Sequence, residues 1–370
     1  MKVLWLTNMP TIYRVHFFNE LGKLCDLKVV FERYSATGVE NTWNDSLAQN
    51  FKAYFLDAKP IGREASISIS MLKYVNNDFD IVVVSSYSSP TEILAIIKML
   101  VKKIPYVLAV DGGIIKEDSF LLKKLKTFLI GHADYWLSTG VSTNTYLENY
   151  GAKSEKIYKY PFTTLFEEDI VKCILDRDEK IKIREQLGMH EEKIILSVGQ
   201  FIYRKGFDIL LKSCKDLNDN VGVYIVGGKV TKDYLKLIEE LNINNIHFVE
   251  NQPKEILKEY YKSADLFVLP TREDIWGLVI NEAMAYGLPV ITTEKCVAGL
   301  ELIKNYENGF IIPIEDEISL YEKMNIILKD EKIRNYMSTN NLNKIHKYTI
   351  ENMAIEHIKI FNQIVDENRR

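Results

Sequence analysis

The feature that most constrains this chain is the alternation of short apolar runs with helical patterns. In the first half, the runs KVLWLTN (residues 2–8), DIVVVSS (80–86) and PYVLAVDGG (105–113) are separated by segments of helical periodicity. The runs are nearly continuous in Val, Ile and Leu, which is typical of strands buried on both faces of a sheet. Strand–helix–strand repetition of this kind predicts a parallel, doubly wound sheet.

The same alternation begins again after a polar stretch at residues 163–180, with runs such as KIILSVGQ and VGVYIVGG. A chain of 370 residues exceeds the size at which one hydrophobic core keeps growing, so two domains are expected. We predict α/β Rossmann-like domains at residues 1–165 and 166–347, and a tail helix at 348–370 that packs back toward the first. Two such sheets would face a central cleft, because doubly wound sheets bind ligands at the carboxyl ends of their strands.

Charge and cysteine content narrow the class of protein. A formal net charge of −4 gives no reason to expect a nucleic-acid partner. Residues 1–165 hold 19 Lys and Arg against 16 Asp and Glu, and the remainder holds 28 against 35, so the front half suits an anionic surface better. Four scattered cysteines without a CxxC pair favour a reducing cytoplasm. No window approaches about 18 uninterrupted apolar residues, so a cytoplasmic protein is expected.

Two loops of the second half follow predicted strands and carry residues suited to an anion. In GQFIYRKGFD, Arg204 and Lys205 stand just ahead of Gly206, where a helix should begin. A helix N-terminus attracts anions, an Arg supplies a bidentate fork and a Lys a point charge, which together suit a pair of phosphates. An exposed basic turn is the alternative. In VGGKV, the glycines beginning at Gly227 would let the backbone approach a ligand closely.

A third loop, PTREDIWGLVINEAMAYGLPV, links a buried strand to a helix and back to a strand. We expect an exposed Trp276, a turn at Gly277, and backbone amides near Gly277 and Leu278 that face an anion. Glu282 would accept hydrogen bonds from the vicinal hydroxyls of a ribose, and Asp274, which stays free in the loop, would accept them from a second sugar. The alternatives are a surface helix residue for Glu282 and a helix-start acid for Asp274.

The spacing of acid, seven residues and acid between Asp274 and Glu282 resembles the signature of the family 4 glycosyltransferases. SVGQFIYRKGFDILL resembles the lysine-bearing phosphate loop of that family, and the likeness is specific across residues 193–313. The resemblance implies the GT-B fold and transfer with retention at the anomeric carbon. It also implies a nucleotide-diphosphate sugar as co-substrate, most simply a UDP-sugar, no metal cofactor, and a glycan or lipid-linked acceptor in polysaccharide or glycolipid assembly.

The resemblance also implies roles for individual residues. It assigns Arg204 and Lys205 to the diphosphate, Glu282 to the ribose, and Asp274 or its neighbour Glu273 to the donor sugar. Many members carry Glu at the position of Asp274 and Arg at the position of Gln200. The predicted catalytic residues are Asp274, Arg204, Lys205 and Glu282. The predicted donor-binding residues are Gly199, Arg204, Lys205, Gly227, Glu273, Asp274, Gly277, Leu278 and Glu282.

The front half offers fewer candidate residues for the acceptor. Arg14 and His16 stand at the start of a predicted helix, and Asp111 follows a predicted strand. For His16 the alternative is a packed or capping residue, and for Asp111 a turn-forming Asp-Gly pair. The DRD run at 176–178 lies in the polar linker, so we interpret it as solvated charge and predict no metal site there.

The segment KEDSFLLKKLKTFLIGHA (116–133) has Leu121, Leu125, Phe128 and Leu129 at helical spacing, with lysines beside them. It is either an ordinary amphipathic helix packed on the sheet or an interfacial helix drawn to anionic lipid. The second interpretation would place the protein on the inner face of the cell membrane as a peripheral protein. Lipid-linked acceptors and the positive front half fit that interpretation.

Two functional alternatives to a glycosyltransferase remain open from the sequence. One is a nucleotide-sugar epimerase or phosphorylase on the same fold, which would turn over the donor without a second sugar. The other is a catalytically silent nucleotide-sugar-binding subunit that activates a partner. An NAD-dependent dehydrogenase is disfavoured because no GxGxxG follows either KVLWLTN or KIILSVGQ.

Overall fold

The computed structural model describes residues 1–37, 41, 43–63 and 65–369. The chain divides into two compact units. Unit 1 consists of Met1–Thr164 and Thr349–Arg370, and unit 2 consists of Leu165–Tyr348.

Unit 1 contains a seven-stranded sheet, a short hairpin and five helices among the described residues. Its strands are β1 (Lys2–Thr7), β2 (Asp26–Phe31), β3 (Lys52–Phe55), β4 (Lys59–Ile61), β5 (Ala65–Ile67), β6 (Ile81–Val84), β7 (Val107–Val110), β8 (Tyr135–Ser138) and β9 (Ile157–Lys159). Its helices are α1 (Ile12–Gly22), α2 (Pro90–Lys102), α3 (Phe120–Gly131), α4 (Val141–Asn149) and α13 (Ile350–Asn368).

The strands of the large sheet in unit 1 run in the order β3-β2-β1-β6-β7-β8-β9, and every neighbouring pair is parallel. At its centre, Trp5 of β1 is in register with Val29 on one side and Val83 on the other. All four residues of β6 and of β7 are buried, as the continuous apolar runs predict. Strands β4 and β5 form a separate antiparallel hairpin.

Unit 2 repeats the plan with a six-stranded sheet. Its strands are β10 (Lys193–Val198), β11 (Val221–Val226), β12 (Ile246–Val249), β13 (Leu266–Leu269), β14 (Val290–Thr293) and β15 (Gly309–Ile312). Its helices are α5 (Arg177–Leu187), α6 (Phe207–Ser213), α7 (Lys232–Leu241), α8 (Lys254–Ser263), α9 (Leu278–Ala285), α10 (Val297–Leu302), α11 (Glu317–Lys329) and α12 (Glu331–Ile345).

The sheet of unit 2 has the order β12-β11-β10-β13-β14-β15, again with parallel pairing throughout. Leu196 of β10 is in register with Tyr224 of β11 and Phe267 of β13. The three predicted ligand loops follow β10, β11 and β13, which are neighbours. Because parallel strands end at one edge of a sheet, all three loops lie along the same edge. The prediction of two doubly wound Rossmann-like folds is confirmed.

Local interactions explain where two of the helices begin. Asp176, the first residue of the DRD run, forms a reciprocal cap of α5 with Glu179: the Asp176 side chain accepts from the Glu179 amide at 2.8 Å, and the Glu179 side chain accepts from the Asp176 amide at 2.9 Å. Ser119 caps α3 and accepts a hydrogen bond from the Leu122 amide, so this helix begins at Phe120.

The tail helix α13 belongs to unit 1 and packs on aromatic residues of that unit. The buried His357 ring lies 4.7 Å from the ring of Phe17 and 4.5 Å from that of Tyr160, measured between centroids. Burial lowers the pKa of His357 to about 4, so its imidazole is neutral at pH 7. The apolar face of α13 therefore completes the core beside β1.

Candidate donor-binding site

The centre of the candidate site is an ion pair between the loops that follow β10 and β13. The Lys205 Nζ atom lies 2.6 Å from Asp274 Oδ2, and only 12% of each side chain is exposed. An ammonium and a carboxylate can be buried together because each compensates the charge of the other. This pair joins two of the four predicted catalytic residues, and Arg204 is a third.

Arg204 joins the same pair from a more exposed position. Its Nη1 atom lies 3.4 Å from Asp274 Oδ1 and donates a 2.7 Å hydrogen bond to the Glu273 carbonyl oxygen. In the opposite direction, the Arg204 carbonyl oxygen accepts from the Arg272 amide and the Thr271 hydroxyl, each at 2.8 Å. The two loops are thus held in register by backbone as well as by charge.

Arg272 is a positioning residue that the sequence analysis missed. Its guanidinium makes two parallel hydrogen bonds to the carboxylate of Asp208, at 2.8 and 2.7 Å, and pairs with Glu315. It also lies 3.9 Å from the ring centre of Tyr203 and donates to the Tyr203 carbonyl oxygen. Burial would raise the pKa of Asp208, but the bonds from Arg272 outweigh this effect and hold that pKa below its ordinary value. The sequence signal that could have identified Arg272 is its position directly before the two acids in the run TRED.

The turn before α6 depends on a glycine. Gly206 has φ +67°, in the left-handed region, and a Cβ atom there would lie 2.0 Å from the Pro270 carbonyl oxygen. Close approach of the two loops at this point places Lys205 beside Asp274. The side chain of Lys205 also passes over the Gly199 backbone, with its Cε atom 3.4 Å from where a Cβ would stand. Gly227 lies beside Gly199, since a Cβ there would lie 2.1 Å from the Gly199 carbonyl oxygen.

The expectation of an exposed Trp276 is wrong. This side chain is buried, and its indole N–H donates to Asn281 Oδ1 at 2.9 Å. Its carbonyl oxygen accepts from the Ala298 amide, and the Asp274 amide donates to the Lys295 carbonyl oxygen at 2.9 Å. The backbone of the loop that carries Asp274 is therefore hydrogen-bonded to the segment after β14. Asp274 was expected to be free in this loop, but these hydrogen bonds hold its backbone in place.

Helix α9 begins at Leu278, with Gly277 as its first flanking residue at φ +101°. Glu282, in the second turn, accepts a 2.8 Å hydrogen bond from the Tyr261 hydroxyl of α8. Burial raises the pKa of Glu282, and the bond from Tyr261 opposes that shift. Among the described residues, Glu282 forms no ion pair with Arg204 or Lys205. The hydrogen bond from Tyr261 therefore orients the Glu282 carboxylate on the helix that follows β13.

In unit 1, the structure brings together two of the three predicted acceptor residues. Arg14 Nη2 lies 2.6 Å from Asp111 Oδ2, and the buried Tyr160 hydroxyl donates to Asp111 Oδ1 at 3.0 Å. Arg14 also donates to the Thr7 hydroxyl at 2.8 Å. His16 is half-buried and lies two residues further along α1, on a different side of the helix.

The interpretation of residues 116–133 as a helix packed on the sheet is wrong for most of α3. Within this helix only Leu129 and Ile130 are buried. Leu121 is 77% exposed, and Leu125 and Phe128 are also exposed. Within the described part of the chain, no helix is both long enough and apolar enough to cross a membrane.

Comparison with known proteins agrees with the geometry of unit 2. A sequence family described as glycosyl transferases group 1 matches residues 179–344. An uncharacterized glycosyltransferase of Methanocaldococcus jannaschii is 29% identical over 287 residues, which is 70% of this chain and 69% of that protein. A Campylobacter jejuni protein named N,N'-diacetylbacillosaminyl-diphospho-undecaprenol alpha-1,3-N-acetylgalactosaminyltransferase is 22% identical over 305 residues, 80% of this chain and 79% of that protein.

The fold is shared with solved structures. The crystal structure of Anabaena HepE in complex with UDP superposes with a TM-score of 0.77 at 16% identity, covering 100% of both chains. The chain is a glycosyltransferase with the GT-B fold, as the family resemblance implied.

Proposed function

We propose that this protein is a retaining glycosyltransferase of family 4 that moves a sugar from a UDP-sugar to a glycan or lipid-linked acceptor. The observation that carries the proposal is the buried pair of Lys205 and Asp274, held at the edge of the sheet where doubly wound folds bind ligands. Arg204 extends that pair toward solvent, with 44% of its side chain exposed. A cationic pair with a carboxylate beside it fits a sugar attached to a diphosphate.

Lys205 and Arg204 would bind the diphosphate of the donor. Phosphate oxygens are stronger anionic partners than one shared carboxylate, so donor binding would draw Lys205 Nζ away from Asp274 Oδ2, its 2.6 Å partner in this structure. The released carboxylate would then accept hydrogen bonds from hydroxyls of the donor sugar. The ion pair therefore keeps both groups buried and oriented until the donor replaces each partner.

The same cations would act in the chemical step. As the bond between the anomeric carbon and the phosphate oxygen breaks, negative charge develops on the leaving diphosphate. Once donor binding has drawn them to the phosphates, Lys205 and Arg204 would be oriented toward that charge before it develops, which lowers the barrier. The acceptor hydroxyl would attack the anomeric carbon from the same face, and its proton would pass to the leaving phosphate. The configuration is then retained without a covalent intermediate. Because protein cations neutralise the diphosphate, this proposal includes no metal cofactor.

Glu282 would bind the ribose hydroxyls of the nucleotide. The hydrogen bond from Tyr261 fixes one carboxyl oxygen, Oε2, and leaves Oε1 as an acceptor. The proposal of UDP rests on the solved HepE complex, which shares the fold and contains UDP. Gly199 and Gly227 would let the backbone ends of β10 and β11 approach the nucleotide.

A screen of nucleotide sugars by thermal shift, followed by turnover with the best donor, tests the donor site. A ligand at 100 times its dissociation constant stabilises the folded protein by roughly 2.7 kcal/mol. We expect Lys205→Ala to abolish most of the stabilisation and turnover, and Lys212→Ala, an exposed lysine of the following helix, to preserve both. Equal stabilisation of Lys205→Ala and the parent would remove Lys205 from the donor site.

For the acceptor, we propose a lipid-linked glycan, as in the name of the Campylobacter jejuni relative. In unit 1, the pair of Arg14 and Asp111 lies at the carboxyl edge of the sheet, after β1 and β7. Asp111 would accept hydrogen bonds from sugar hydroxyls, and Arg14 and Tyr160 hold its carboxylate in place. Asp111→Asn should raise the acceptor KM much more than the donor KM. An equal effect on both constants would argue against this assignment.

The exposed face of α3 supports a peripheral site on an anionic membrane. Phe120 and Leu121 are 71% and 77% exposed, next to the exposed Lys123 and Lys124. Apolar side chains beside lysines suit the interface of an anionic bilayer, where each cation adds about 1 kcal/mol. A membrane-bound enzyme would meet a lipid-linked acceptor at the bilayer surface.

Vesicle sedimentation tests this surface. We expect binding to vesicles that contain phosphatidylglycerol but not to pure phosphatidylcholine vesicles. Replacing Phe120 and Leu121 with Ser should weaken vesicle binding about tenfold. Each substitution removes an apolar side chain whose transfer from water into the bilayer interface favours binding. The control Ile69→Ser removes an equally exposed apolar side chain elsewhere in unit 1. Equal loss in both variants, or binding independent of lipid charge, would contradict the proposal.

A further inference from the structure

Unit 2 contains a cavity that takes no part in the proposed donor site. It has a volume of about 530 Å³, within the usual range for small-molecule sites. Its wall includes Lys193, the first residue of β10, and Asp265, the residue before β13. The cavity therefore lies at the amino edge of the sheet, whereas Lys205 and Asp274 lie at the carboxyl edge.

The charges that line this cavity are unbalanced. Its titratable and charged wall consists of six cations and four acids: Arg177, Lys180, Arg184, Lys193, Lys329 and Arg334, with Asp176, Glu192, Asp265 and Glu331. Of the four carboxylates, only that of Asp265 is buried. Asp176 caps α5, and the half-exposed Glu192 is bonded to Arg177 and Asn220 at the rim.

Asp265 has no remaining capacity to neutralise further cations. Its carboxylate is 3.2 Å from Lys180 Nζ and 2.8 Å from Arg184 Nη2, and it accepts from the Ile194 amide at 2.9 Å. Arg184 donates its other hydrogen bonds to the carbonyl oxygens of Ser263 and Glu192. Asp265 and Arg184 therefore form a saturated structural pair.

Three of the wall cations, Lys193, Lys329 and Arg334, have no ion pair among the described residues; Lys193 Nζ donates instead to the Leu328 carbonyl oxygen at 2.7 Å, and Lys329 is exposed. Arg334, in the first turn of α12, is the half-buried guanidinium among the three. Its Nη1 atom makes two long contacts, each 3.3 Å, to the carbonyl oxygens of Ile327 and Leu328. Among the described residues it has no carboxylate within ion-pair distance. Burial lowers the pKa of Lys180, Asp265 opposes this shift, and Arg184 and Arg334 add to it. The two cations Lys180 and Arg334 thus repel each other across the cavity.

We propose that this cavity is a second ligand site, which binds a small free anion bearing a phosphate group between Lys180 and Arg334. A guanidinium presents a planar fork to phosphate oxygens and an ammonium adds a point charge, so an anion would satisfy the donors that Asp265 leaves unmatched. A carboxylate-rich partner protein is a poorer fit, because a concave volume of about 530 Å³ between α5, α11 and α12 suits a small molecule. The site is separate from the proposed donor site, so occupancy of one does not require the other.

Titration of the full-length protein with inorganic phosphate and with pyrophosphate, followed by thermal shift, tests this inference. The informative variants are Arg334→Gln, which removes a cation from the cavity, and Lys332→Gln, which removes an exposed cation two residues away on the same helix. Both lower the net charge equally. Lys205→Ala removes the competing phosphate site at the other edge of the sheet.

Measured in the Lys205→Ala background, which lacks the competing site, phosphate should bind Arg334→Gln roughly 10- to 100-fold more weakly, whereas Lys332→Gln should bind it as tightly as Lys205→Ala alone does. Without phosphate, Arg334→Gln should melt at the same or a higher temperature, since it relieves repulsion with Lys180. No binding to the parent, equal binding to Arg334→Gln, or binding lost only in Lys205→Ala would overturn the inference. Binding to phosphatidylglycerol vesicles that depends on Arg334 would overturn the assignment to a free anion.

Discussion

The buried pair of Lys205 and Asp274 predicts that stability and activity can be separated by mutation. Lys205→Met leaves the Asp274 carboxylate buried, with only the exposed Arg204 at 3.4 Å as a charged partner. Asp274→Leu leaves the Lys205 ammonium without its carboxylate. The double variant Lys205→Met with Asp274→Leu removes both charges and fills the space with apolar atoms.

The expected magnitudes follow from the geometry of the pair. Removing one partner of a buried ion pair costs about 3–5 kcal/mol, and the remaining contact of Asp274 with Arg204 places Lys205→Met near the lower end. For Asp274→Leu we expect about 2 kcal/mol, because a long lysine side chain can turn its ammonium to water. Replacing the whole pair by apolar groups is often neutral, so the double variant should lie within about 1 kcal/mol of the parent.

Urea unfolding followed by circular dichroism gives the free energies, and turnover of the donor gives the activities. All three variants should lose about 10²- to 10³-fold in turnover, because Lys205 is needed at the leaving phosphate. Lys212→Met, an exposed control on α6, should change stability by less than about 0.5 kcal/mol. A double variant as unstable as the sum of its singles would refute the pairing argument, and restored turnover would refute the role in catalysis.

Three further outcomes are expected. Burial, with a contribution from Glu32, raises the pKa of Glu92 to about 8, so the folded state keeps a proton that the unfolded chain releases near 4.5. The contribution of Glu92 to stability should fall as pH rises from about 4.5 to 8, so Glu92→Gln should lose less stability than the parent between urea midpoints measured at pH 5 and pH 8. Gly206→Ala should cost more than about 1 kcal/mol in urea unfolding, through left-handed strain and a clash with the Pro270 carbonyl. Arg272→Lys should raise the donor KM as Arg272→Ala does, because lysine lacks the fork that binds Asp208; rescue by lysine would contradict this.

Much of unit 2 could be predicted because its signals are local. The continuous apolar runs of β10, β11 and β13 indicate parallel strands, and the neighbouring ends of such strands meet at one edge whatever the details of packing. Lys205 and Asp274 could therefore be placed near each other without knowledge of their contact. Their direct ion pair was not predicted, because Asp274 was expected to remain free in its loop.

Other residues could not be interpreted from their neighbours in sequence. Trp276 follows closely after the charged run of residues 272–274, yet in the structure it is buried and bonded to Asn281 and to the segment after β14. Arg272 looked like part of a charge run, but its partner Asp208 is 64 residues away. Glu32 and Glu92 attracted no notice, although both are fully buried near the carboxyl edge of the first sheet.

The sequence by itself determined the two wound sheets, the edge at which the loops gather, and the chemical character of those loops. These follow from periodicity and residue type, which act over a few residues. Only the tertiary structure decided which charged side chains form ion pairs and which face of α3 is exposed. It also decided that several cations lie around Asp265 at the opposite edge of the sheet. Electrostatic energy depends on distance and burial, and both are set by segments far apart in the chain.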